Sequence, residues 1–111
     1  MQLKKKFLRS RKHLDFIKEG KCIICFNSPC DPAHLTGFRI GGIGLKPDDC
    51  FVVPLCRDCH NESHHYGERS FWEKNGIEPF SYAIQYCMMS PCEKIKENYK
   101  EYFQEKVVYI K

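Results

Sequence analysis

The chain has 111 residues, eight of them cysteine, with 42% hydrophobic and 14% aromatic content and a formal net charge of +4. That balance excludes a wholly disordered chain, and the length suits one domain with a small core that gains from extra staples. No apolar run is long enough to span a bilayer, so a membrane protein is not expected.

Positive charge is concentrated at the front. Lys4, Lys5, Lys6, Arg9, Arg11, Lys12, Lys18 and Lys21 face only Asp15 and Glu19. A segment of this kind is attracted to phosphate backbones, although a solvated terminus has the same composition. Residues 1–8 read as a basic tail, and residues 9–111 as a single domain. The start lacks the apolar run and small-residue cleavage site of a secretory signal, so a cytoplasmic chain with reduced thiols is expected.

Residues 9–19, RSRKHLDFIKE, place Leu14 and Ile17 three apart and end at Gly20, which predicts a short helix. CIIC then supplies the thiols of Cys22 and Cys25. NSPCDP reads as a turn, and AHL opens a short strand. TGFRIGGIGLKPDD is glycine-rich and reads as a loop, with Arg39 and Lys46 near its ends. CFVVPL has the β-branched and aromatic content of a second strand. RDCHNESHHYG predicts a helix stopped by Gly67. ERSFWEK predicts another turn or two closed by Asn75 and Gly76, with Phe71 and Trp72 in the core. Residues 79–89 read as helical. Ser90 to Glu93 form a capping-box pattern. The run after it sets Ile95, Tyr99, Tyr102 and Phe103 on one side of an amphipathic helix, a face on which two copies could pair. VVYIK reads as a terminal strand or tail.

The chemistry begins with the two knuckles, Cys22/Cys25 and Cys56/Cys59. Two residues between thiols let both reach one tetrahedral ion from a single turn, and two such pairs make a closed four-thiolate shell suited to structural Zn²⁺. The interval between them is longer than the roughly 15–20 residues of compact zinc ribbons, so an extra segment, with DPAHL and the glycine loop, is built between them. The remaining cysteines show no ligand spacing; Cys87 and Cys92 are expected to face the core. His60 and His64, four apart on the helix after the second knuckle, share a face and can share a second metal, whereas His65 is turned by about 100°. His34 enters from the segment after the first knuckle, where an unliganded imidazole can deprotonate water.

These residues resemble a family. CxxC, a histidine opening a strand, a loop, then LCxxCHxxxH is similar to the ββα-metal (HNH) endonucleases. The longer pattern DPAHL…GGIGLKPDD…VVPLCRDCHNESHH…FW resembles the YbcO-like prophage nucleases and the phage recombination-enhancement nuclease group, over residues 9–76. The resemblance implies a small α+β fold with a ββα-metal core in residues 22–67 and a helical extension over residues 70–111. It implies His34 as general base, with His60 and His64 as ligands of a catalytic Mg²⁺, Mn²⁺ or Zn²⁺. The implied reaction is phosphodiester hydrolysis in DNA. The family commonly has a metal-ligating Asp or His just before the base. Here that residue is Ala33, and Asp31, two positions back, is the expected substitute, as a ligand or as a group orienting an imidazole. Arg39, Lys46 and Arg57 are expected to hold phosphates without reading bases. The rival reading is a non-catalytic zinc module that binds DNA or a recombination partner, and the third is a disulfide-rich secreted domain.

Overall fold

The computed structural model describes residues 8–36 and 47–106. The expectations for Arg39, Lys46, the basic residues before Leu8 and the final VVYIK lie outside the described residues. Within them the order is α1 (Arg11–Lys18), β1 (Cys30–His34), β2 (Val52–Cys56), α2 (Arg57–Tyr66), α3 (Glu68–Asn75), α4 (Pro79–Met89) and α5 (Glu93–Lys106). The class is a small α+β fold, one antiparallel strand pair with five helices. No described helix is long and apolar enough to cross a membrane.

The strand pair runs from Cys30 opposite Cys56 to His34 opposite Val52. Strand β1 starts earlier than the sequence pattern implies and absorbs Asp31 and Pro32, which read locally as turn residues. The register explains why proline is tolerated. Pro32 faces Pro54 directly, and the bond from Leu35 N–H to the Phe51 carbonyl, 3.0 Å, sets the even-numbered β1 residues at positions that exchange no ladder bonds. Neither proline therefore removes one.

Helix α1 begins where Ser10 accepts the His13 N–H at 3.0 Å, and it buries His13 and Ile17. Its inner face is therefore centred on His13, with Leu14 and Phe16 only partly covered. Imidazole is admitted to the core because Nδ1 meets the Ser90 hydroxyl at 2.8 Å. Helix α2 starts directly from β2 at Cys56 and ends at Gly67, whose φ of 89° favours glycine. Gly76, at φ 66°, ends α3 in the left-handed conformation and donates to the Glu73 carbonyl.

The core lies between the strands and the C-terminal helices. Phe51, Phe71, Trp72, Phe80, Ile95, Tyr99 and Phe103 are buried together, and the Phe51 and Phe103 rings lie 4.4 Å apart. Phe71 and Trp72 are core residues, as the sequence pattern predicts. Ser90 closes α4 rather than opening α5, although its hydroxyl still accepts the Cys92 N–H at 3.1 Å. Cys87 is buried and Cys92 half-buried. Leu8, the last residue of the expected basic tail, is 5% exposed and packs into the core.

Candidate metal centre and histidine site

The first knuckle is shaped by backbone bonds. Cys22 N–H donates to the Asn27 carbonyl at 2.9 Å and Phe26 N–H to the Cys22 carbonyl at 2.8 Å. Phe26 takes a φ of 65°, which turns the chain back after Cys25. The second knuckle spans the β2–α2 junction, so the last strand residue and the first helical turn supply its thiols. Ile23 N–H donates to the Pro54 carbonyl at 3.2 Å and holds the two knuckles together.

The sulfurs of Cys22, Cys25, Cys56 and Cys59 all lie within 4.8 Å of one another. Cys25 and Cys56 are separated by 3.5 Å, and Cys25 and Cys59 by 3.9 Å. A tetrahedral ion with bonds of roughly 2.3 Å to sulfur requires edges of about 3.8 Å, so this cage fits zinc. No disulfide joins these four thiols in the structure. Burial pushes the Cys22 thiol up, but N–H groups of Cys25, Cys56 and Ile24 aimed at its sulfur outweigh that and lower its pKa to about 7. Cys30 stays outside the cage. Its sulfur donates to the Asn27 carbonyl at 3.5 Å, and burial raises its pKa to about 11.

Beyond the cage, the helix brings His60 and His64 together, with ring centroids 4.8 Å apart, while His65 turns away and packs on Tyr66. Asp31 reaches across from β1, and its Oδ2 lies 3.1 Å from His60 Nδ1. Arg57 does not stand free for a phosphate. It donates to both oxygens of Asp31, at 2.8 and 3.2 Å. These bonds from Arg57, followed by that from His60, hold the Asp31 pKa down to about 2. Among the described residues, the four cysteines alone bring three or more potential ligand atoms within 4.8 Å of one another. Asp31 touches His60, and His60 lies against His64, but the three are not gathered as a metal-ligand group. Ala33 is buried and supplies no ligand atom.

His34 belongs to a separate arrangement. Its Nε2 lies 2.8 Å from Asp49 Oδ1. Asp49 is buried, accepts the Ser10 N–H at 2.8 Å and pairs with Arg9 at 3.2 Å. Burial pushes the Asp49 carboxyl up, but the bonds from His34 and Ser10 outweigh it and leave its pKa below the ordinary carboxylate value. Asp48 alongside is fully buried and accepts the Leu8 N–H at 2.6 Å. Neither acid was singled out from sequence. Two adjacent carboxylates next to a buried strand, in PDDCFVV, were the available signal, because buried acids require partners.

The family described as "Protein of unknown function (DUF968)" matches residues 1–90. The chain belongs to this family. The DUF968 chain is also 45% identical, over 53 residues, to "Uncharacterized protein YdfU" of Escherichia coli strain K12. That match covers 48% of this chain and only 15% of the relative. No solved structure matches.

Proposed function

We propose that this DUF968 chain is a metal-dependent endonuclease of the ββα-metal kind, hydrolysing phosphodiester bonds in DNA. The observation that supports it best is the pair of contacts, Asp31 to His60 and His60 to His64, at a strand–helix junction beside the four-cysteine cluster. In this reading His34 takes the proton of the attacking water. His60 and His64, with Asp31 as ligand or orienting group, hold a divalent ion, which supplies Lewis-acid polarisation of the phosphate when bound. Two imidazoles and a carboxylate suit Mn²⁺ or Zn²⁺ by donor type, although the donors must draw closer than they lie here. Arg39 and Lys46 keep their proposed role on phosphates. Arg57 is reassigned to Asp31 unless metal displaces it.

The test is plasmid cleavage by purified protein with Mg²⁺ or Mn²⁺, with and without chelator. His34→Ala should lower the rate roughly 100- to 10,000-fold, the usual worth of a general base, while zinc content and fold stay unchanged. Full activity in that variant removes His34 from the role.

A second reading has its own support. Asp31 is already satisfied by Arg57 and His60, and Ala33 offers no ligand. A zinc-stabilised module that binds DNA or a protein partner without cutting needs no further ligand. DNA binding without metal-dependent nicking would favour it.

A further inference from the structure

We infer that Asp49 is a positioning residue that holds His34 with its proton on Nε2 and so leaves Nδ1 as the only ring nitrogen able to accept a proton. This rests on the proposed role of His34 as the base.

The argument is one of hydrogen-bond inventory. An ionised carboxylate accepts and cannot donate. Asp49 Oδ1 lies 2.8 Å from His34 Nε2, so that nitrogen must carry hydrogen. In the neutral ring the other nitrogen then has the lone pair. The carboxylate itself is fixed from a third direction. Ser10 donates its backbone N–H to Oδ2, and Arg9 approaches Oδ1. Asp49 N–H in turn donates to the Leu8 carbonyl at 2.7 Å, and Arg9 also donates to the Pro47 carbonyl. Residues 8–10 and 47–49 are thus tied together around one carboxylate. His34 keeps a side-chain exposure of only 10%, which limits rotation to the alternative ring orientation. Such outer partners set both the tautomer and the aim of an imidazole.

The experiment uses the zinc-loaded 111-residue chain labelled with ¹⁵N. Long-range ¹H–¹⁵N correlation spectra report which nitrogen of each histidine is protonated, and His34→Gln identifies the His34 signals. A single Nε2–H tautomer is expected. An Nδ1–H tautomer, or an even mixture, overturns the inference. Asp49→Asn keeps an acceptor for Ser10 but can present an amide N–H to the ring. It should lose the single tautomer and lower kcat for plasmid nicking roughly 100- to 10,000-fold, as amide replacement does where a carboxylate fixes a catalytic tautomer. KM should stay within about threefold, since Asp49 is buried. Asp49→Glu, which restores a carboxylate, should recover part of both signals. An Asn variant that keeps the Nε2–H tautomer but loses activity with its melting temperature shows a merely structural role and overturns the inference. A wild-type protein that cuts nothing yet shows the locked tautomer removes the nuclease reading while upholding the Asp49–His34 lock.

Discussion

Asp31 is the residue on which the site turns, because it answers to two groups at once. Arg57 and His60 hold its pKa at about 2 against an ordinary 3.8. A carboxylate with a depressed folded pKa adds stability above its unfolded value and loses it as pH falls through the folded one. The Asp31 contribution is therefore complete above about pH 4 and disappears towards pH 2. Arg57→Ala should move the Asp31 carboxyl titration upward towards 3.8, read from its ¹³C chemical shift. An unmoved titration would show that Arg57 is not the main cause. If Asp31 binds a divalent ion, the same variant should bind Mn²⁺ more tightly, because the competing guanidinium is gone. At this scale the sequence was legible where chemistry is local. CxxC spacing and a four-residue histidine interval need no tertiary knowledge. Asp49 was opaque, since its partners Ser10 and His34 lie 39 and 15 positions away. The fate of Arg57 was opaque for the same reason.

Helix α1 shows how an element far from the chemistry in sequence sets its geometry. Ser10 caps the helix with its hydroxyl and holds Asp49 with its backbone N–H. The two functions separate by substitution. Ser10→Ala keeps the N–H and loses the cap, so it should cost about 1 kcal/mol, measured by urea unfolding with an unchanged slope. Ser10→Gly should cost only a few tenths of that, because glycine is tolerated at the cap. Equal losses in the two variants would show that the hydroxyl does not act as a cap. Helices α1, α2 and α5 could be read from capping patterns, stops and spacing. The inner face of α1 could not, because apolar periodicity gives no weight to His13, which enters the core only with Ser90 as partner. The first part of strand β1 was hidden for a related reason. SPCDP has turn composition, and its extended form depends on pairing with residues 52–56.

At the scale of the molecule, the cysteine cage joins two segments that the β1–β2 ladder also pairs. The aromatic core packs Phe51, Phe80 and Phe103 between β2 and the C-terminal helices. The first knuckle is tied to that body by few backbone bonds, chiefly Ile23 to Pro54. Structural zinc in small domains has apparent binding energies of about 10–16 kcal/mol at neutral pH, comparable with the roughly 5–15 kcal/mol that separates a folded domain from its unfolded chain. Removing zinc should therefore abolish the cooperative thermal transition, and zinc added back under reducing conditions should restore it. Elemental analysis should find one tightly bound zinc per chain. Co²⁺ in its place should give the thiolate charge-transfer and tetrahedral ligand-field bands of a four-sulfur site. Because thiolates must lose protons to bind, zinc should be released as pH falls, and stability should fall with it. Release at neutral pH with no change in melting temperature would show that the knuckles do not bind the fold together.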